Sequence, residues 1–127
     1  MPLYNVACKT PLSDQTRARV TKAITDVHCT VTDAPAVFVN VLFMDNHPLK
    51  DGNALHVIGA VRSGGNRNAA LIDRLRDEMH AGVAEAAATD AGQVAVELIG
   101  IKPQWVMEGG KILPDPGAED EWLEDAS

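Results

Sequence analysis

No stretch of this chain reaches the roughly 18 consecutive apolar residues of a membrane-spanning helix, so no transmembrane helix is expected. The N-terminus lacks a basic region followed by a long apolar one, so no secretory signal is expected either. The two cysteines, Cys8 and Cys29, form neither a CxxC pair nor a zinc spacing. They read as reduced thiols in or near the core of a cytoplasmic protein, with a disulfide as the alternative. His47, His56 and His80 fall in separate elements and no HxxxH or HExxH pattern occurs, so no metal is expected. The P-loop pattern and the dinucleotide fingerprint are both missing. No Ser-His-Asp or Cys-His arrangement follows from spacing.

Lysine and arginine are absent from the last thirteen residues, which hold Asp115, Glu119, Asp120, Glu121, Glu124 and Asp125. The net charge of -7 therefore belongs to the tail, and the remaining body is almost neutral, with 12 acidic and 11 basic residues. No basic stripe exists to replace counterions along phosphates, so a nucleic-acid partner is disfavoured. The acidic tail, 115–127, is expected to be solvated apart from Trp122 and Leu123, which offer a docking point on the body or on a neighbouring subunit.

What is present fits one domain over 1–114: 127 residues in all, 46% hydrophobic and 23% charged. Leu3 to Cys8 reads as a strand, with Val6 and Cys8 on one face. Pro11 breaks it, and Ser13 is a helix N-cap with Asp14 in the first turn. Val20, Ala23, Ile24, Val27 and Val31 then recur at helical spacing, up to an end near Thr30 to Asp33. Ala36 to Met44 alternates as a second strand. Turn residues fill 45–55, and the plan repeats. His56 to Arg62 is a strand, Asn68 to Ala88 a helix with Leu71, Leu75, Met79, Val83 and Ala86 on its buried stripe, and Val94 to Ile101 a strand. Two βαβ units of this kind form an α+β sandwich, a four-stranded sheet with both helices on one face. The other face is left uncovered, so the chain is expected to form a homo-oligomer through it.

Six positions stand out chemically. If Met1 is removed, as the small neighbour Pro2 permits, the chain begins with a secondary amine on a rigid ring. An α-amine titrates near pH 8, within reach of a neutral-pH acid or base. Otherwise Pro2 is simply a common second residue. Arg62 and Arg67 flank Ser63-Gly64-Gly65-Asn66, between a strand end and a helix start. Paired guanidinium groups there suit a carboxylate, which arginine can hold through two parallel hydrogen bonds; two solvated loop arginines are the alternative. His28 lies at the edge of the first helix stripe, as a helix-end hydrogen-bonder or as a site residue. Glu108, between an apolar wall at Trp105 and the Gly109-Gly110 turn, is either an exposed loop carboxylate or one that orients water. Glu97, between Val96 and Leu98 in the last strand, needs a partner or exposure.

An amino-terminal proline, two βαβ units and a paired-arginine loop together resemble the tautomerase superfamily. Within it, the chain resembles the cis-3-chloroacrylic acid dehalogenase group over nearly its full length. The residues that carry this are Ala23-Ile24-Thr25-Asp26-Val27-His28, Arg62-Ser63-Gly64 with Arg67, and Gly110-Lys111-Ile112-Leu113-Pro114-Asp115-Pro116-Gly117 followed by Glu121-Trp122. The resemblance implies a homotrimer without cofactor or metal, acting on a small carboxylate substrate. It implies Pro2 as the acid or base, His28, Arg62 and Arg67 as carboxylate holders, and Glu108 as the residue that directs water. Four residues separate the arginines where the group has two, and Glu97 stands where the group has a water-activating tyrosine. The expected activity is a cofactor-free tautomerase on a 2-oxo or enol carboxylate. The alternatives are water addition to 3-haloacrylate-like acids (a hydratase or dehalogenase) and a trimeric binding protein without turnover.

Overall fold

A computed structural model describes residues 1–126. Strand β1, Leu3–Cys8, leads to helix α1, Asp14–Thr32, and strand β2, Asn40–Met44. Strand β3, Leu55–Arg62, helix α2, Ala69–Ala86, and strand β4, Val94–Ile101, repeat the unit. The sheet order is β2-β1-β3-β4. β1 runs parallel to β2 and β3 parallel to β4, and the two units join through antiparallel β1 and β3. Four strands in one sheet with two helices against it is the expected α+β arrangement.

Local chemistry sets the helix boundaries. The Ser13 hydroxyl accepts from the Thr16 amide at 3.1 Å and caps α1, which stops at Asp33, held at φ 60°. The Asn68 side chain caps α2 in the same way, accepting from the Leu71 amide at 2.8 Å. The expected strand over 36–44 is shorter. Ala36–Phe38 is a single 3-10 turn following Pro35, and pairing with β1 begins at Asn40, opposite Leu3. Apolar alternation alone does not reveal where a partner strand ends.

Tyr4, Val6 and Cys8 project from β1 into the layer beneath the helices, where they meet Val20, Ile24, Leu75, Met79 and Val83. All eight are fully buried. Each apolar side chain of this size contributes roughly 1.5–3 kcal/mol by leaving water, so this layer holds the two units together. Both cysteines are free thiols, and burial pushes Cys8 up to about 11, leaving it an inert core group. On the opposite sheet face Leu3, Leu42, Met44 and Ile99 remain exposed.

After β4 the chain makes a 3-10 turn, Pro103–Trp105, and a hairpin of β5, Met107–Glu108, and β6, Lys111–Ile112. Gly109 and Gly110 form its two-residue loop at φ 60° and 79°, the left-handed pair that such a turn requires. Helix α3, Glu119–Ala126, closes the described chain. Most residues of 115–124 are exposed and Trp122 docks the tail on the body, as expected; the departure is at Glu119. Glu119 is drawn into a buried ion pair, and Trp122 donates from Nε1 to the Ile112 carbonyl at 2.8 Å and packs edge-on against Phe38. No helix among the described residues is long and apolar enough to cross a membrane.

Candidate active site

The topology delivers one end of the sheet as a site. The chain start, the last residue of β3, the loop after it, the C-terminal half of α1 and the β5–β6 hairpin all converge there. The charges of Arg67, Arg62 and the N-terminus are each felt by the His28 imidazole.

His28 is completely buried. Its Nδ1 lies 2.6 Å from the Tyr4 hydroxyl, with the two rings edge-on at 5.6 Å, and its Nε2 has no partner. Burial first, then the cations Arg67, Arg62 and the N-terminus, pull the imidazole down to about 3. His28 is therefore neutral at pH 7.

Arg67 is half-buried, and its Nε and Nη1 have no hydrogen-bond partner. Burial lowers its pKa, and Arg62 lowers it further. Its backbone amide donates to the Gly64 carbonyl at 3.0 Å, so the four-residue loop folds back and returns Arg67 to the vicinity of Arg62. Buried guanidinium nitrogens without acceptors are costly. With the orphaned imidazole nitrogen they make three buried nitrogens without a partner on His28 and Arg67.

Arg62 is placed differently from the sequence expectation of a free carboxylate holder. It is buried, but Nη1 donates to the Pro114 carbonyl at 2.7 Å and Nη2 pairs with the Glu119 carboxylate at 2.5 Å. The tail thus supplies the carboxylate that Arg62 faces. Gly65 makes room for this strap, since a Cβ there would meet the Pro116 carbonyl at 2.5 Å. Burial pushes Glu119 up, but the hydrogen bond from Arg62, backbone bonds including that from Gly117, and the Arg62 charge outweigh it and hold the carboxyl below its usual value.

Pro2 is buried at the start of β1, and its carbonyl accepts from the Asn40 amide at 3.0 Å. Met1 precedes it, so the proline nitrogen is a peptide nitrogen and the free amine is that of Met1. That amine pairs with the Glu108 carboxylate. The glycine turn after Glu108 is what brings this carboxylate to the chain start. Leu3, Ala60, Ile101, Val106 and Met107 line an apolar cleft beside the pair.

Two proposed site residues lie elsewhere in this chain. Glu97 is exposed on the uncovered sheet face, in a cavity shared with His47, Lys50 and His56, where its carboxylate lies 3.6 Å from His56 Nε2. Trp105 is 78% exposed and does not wall Glu108, because the 3-10 turn at 103–105 points it outward before the hairpin returns. Conversely, Tyr4 and Glu119 were not singled out by sequence reasoning. The signal for Tyr4 was available: it is the only tyrosine in the chain, in register with Val6 and Cys8, and a buried phenol needs a hydrogen-bond partner. No comparable signal separates Glu119 from its acidic neighbours. Among the described residues no cluster of metal-ligating side chains occurs.

No protein-family model matches the chain, and no curated protein sequence matches it. Solved structures do. A member of the cis-3-chloroacrylic acid dehalogenase family superposes with a TM-score of 0.86 at 26% identity, over 96% of this chain and 90% of the other. A fused 4-OT, described as an asymmetric trimer, gives 0.74 at 16% identity, over 87% and 94% of the two chains. Macrophage migration inhibitory factor of Toxoplasma gondii gives 0.71 at 11% identity, over 87% and 99%. The latter two speak to fold alone. The likeness to the dehalogenase-family member supports placing the chain in the tautomerase superfamily.

Proposed function

We propose that this chain is a cofactor-free tautomerase acting on a small 2-oxo or enol carboxylate. The observation that carries the reading is the set of buried nitrogens without partners, His28 Nε2 with Arg67 Nε and Nη1, next to the chain's amino end. A substrate carboxylate supplies the acceptors these groups lack. Arg62 contributes through its charge while Glu119 holds its guanidinium fork. With Met1 removed, the Pro2 ring nitrogen becomes the free amine near Glu108. It takes the enol proton, and a proton is returned to C3, so the substrate is isomerised with no net change in protons. Fixed cations at the oxygen where enolate charge develops lower the barrier. The uncovered apolar sheet face favours a homo-oligomer, and a homotrimer is the assembly we propose because the fused 4-OT neighbour is described as a trimer.

One observation favours a second reading. The Glu108 carboxylate pairs with the chain's terminal amine. The pairing places this carboxylate where it can direct water at a substrate held against the chain start. A protonated ring nitrogen delivers a proton to C2 of a 3-haloacrylate while Glu108 directs water at C3 and takes the proton that the water loses. The resulting halohydrin then loses hydrogen halide to leave an aldehyde.

Intact mass of the purified protein comes first, because retention of Met1 removes the ring amine on which both readings depend. Processed protein is then given an arylpyruvate enol, followed by loss of enol absorbance, and a cis-3-haloacrylate, assayed for released halide. Turnover of the enol, rising as the ring amine loses its proton, supports the tautomerase. Halide release that falls over the same pH range supports water addition. Carboxylate binding with neither turnover leaves a trimeric binding protein.

A further inference from the structure

Tyr4 and His28 share a buried hydrogen bond that the proposed chemistry leaves unexplained. Tyr4 stands on β1 and His28 on α1, 24 residues apart, and both are completely buried. The strand opposite makes room for the phenol ring. Gly59 lies across from Tyr4 in the antiparallel β1–β3 register, and a Cβ on Gly59 would come within 2.5 Å and 2.8 Å of the Tyr4 ring. The tyrosine is thus held between a glycine and a histidine.

Proton counting selects the direction of the bond. If Nδ1–H donates to the phenol oxygen, the buried phenol O–H is left without an acceptor, and His28 Nε2 is left as a lone pair without a donor. If instead the phenol O–H donates to Nδ1, the phenol is satisfied and the one orphan is an Nε2–H. An unmet buried donor or acceptor costs roughly 1–3 kcal/mol, so the second arrangement wins by leaving fewer. The remaining orphan then matches its surroundings. The unpartnered nitrogens of Arg67 are donors too, and three donors without an acceptor are what a carboxylate satisfies.

We propose that Tyr4 is a positioning residue: its hydroxyl locks His28 as the Nε2–H tautomer and presents that N–H as a neutral donor to the substrate carboxylate. This rests on the reading of the site as a carboxylate site. A neutral donor suits a pocket that already contains two guanidinium groups, where a third positive charge is disfavoured. The low basicity of His28 accords with it. Burial also raises the Tyr4 pKa, keeping the phenol protonated and able to donate.

Long-range proton–nitrogen NMR on the full chain labelled with nitrogen-15 histidine, at pH 7, tests the assignment without turnover. His28 is expected to show an unprotonated Nδ1 and a protonated Nε2. Tyr4→Phe is expected to turn this into a mixture of tautomers and to weaken pyruvate binding about tenfold, roughly 1.4 kcal/mol. A wild-type His28 protonated at Nδ1 or at both nitrogens overturns the proposal, as does an unchanged tautomer in the phenylalanine variant. Should that variant fail to fold, the wild-type spectrum still decides the direction of the bond, and Gly59→Ala, which displaces the ring, replaces it as the perturbation. If His28 carries its proton on Nε2 but pyruvate does not bind, the carboxylate-site reading fails while the tyrosine lock stands.

Discussion

Arg62 Nη2 and Glu119 Oε1 lie 2.5 Å apart across 57 residues of sequence, with only 3% and 12% of the two side chains exposed. One end of the ion pair closes β3; the other opens the tail helix. The contact divides the labour between the two arginines. Arg62 ties down the tail, and Arg67 keeps two buried guanidinium nitrogens unpartnered.

Alanine at the two positions is therefore expected to give opposite phenotypes. Arg67→Ala removes a cation that has no acceptor at two of its nitrogens, so thermal stability should hold or rise while pyruvate affinity and turnover fall more than tenfold. Arg62→Ala strands a carboxylate in a largely buried place, at a cost of about 3 kcal/mol borne mostly by the tail. Calorimetry alongside a binding titration separates the two. Equal effects of both substitutions on both readouts contradict the division.

Glu119→Gln probes the strap directly. Amides of 115–126 should exchange with solvent at least tenfold faster in the variant, followed by hydrogen-exchange mass spectrometry. The pH dependence has a definite sign. The Glu119 carboxyl is depressed in the folded chain, so its contribution is present above the ordinary value of 4.5 and is lost as pH falls through the lower folded value. Wild-type tail protection should collapse in that acid range, whereas the glutamine variant should show no such step. Wild-type protection no greater than that of the glutamine variant at pH 7 rules the strap out.

His28 contributes a second, earlier acid sensitivity. Its folded-state value of about 3 lies below the unfolded 6.5, so the unfolded chain takes up the proton first. Stability is complete above about pH 6.5 and erodes as pH falls from there towards 3, by roughly 2 kcal/mol between pH 7 and pH 5. Urea midpoints at those two pH values measure it. His28→Gln, which does not titrate, should lose that much less on acidification than the wild type; parallel losses exclude a buried neutral histidine.

Gly59→Ala tests how tightly the layer over His28 is packed. The added methyl meets the Tyr4 ring at 2.5 Å and Leu98 Cδ2 at 2.9 Å. Overpacking of this kind costs about 1–3 kcal/mol, read as a lower urea midpoint at unchanged m-value. A variant as stable as the wild type shows that the ring has room to move.

Periodicity, caps and turn residues were enough to read the two βαβ units. Val20, Ile24 and Val31 recur at helical spacing because one helix face is buried, and Ser13 and Asn68 cap their helices with side chains a few residues from the amides they satisfy. The glycine pair after Glu108 likewise announced its turn. The second strand is shorter than its apolar alternation implies, because Ala36–Phe38 forms a 3-10 turn and pairing begins at Asn40. Side-chain partners were less legible. Trp105 and Glu97 looked functional by their sequence neighbours, yet within this chain one points outward and the other sits on the uncovered face.

The chain by itself determined which segments become helices and strands, since those depend on contacts a few residues apart and on which face must leave water. Only the tertiary structure decided that Tyr4 meets His28, that Glu119 takes the Arg62 fork, and that Arg67 is left with donors to spare. Those pairings span dozens of residues and depend on sheet order and on the route of the tail. Hydrogen bonds and charges act through distance in space, which sequence separation does not record.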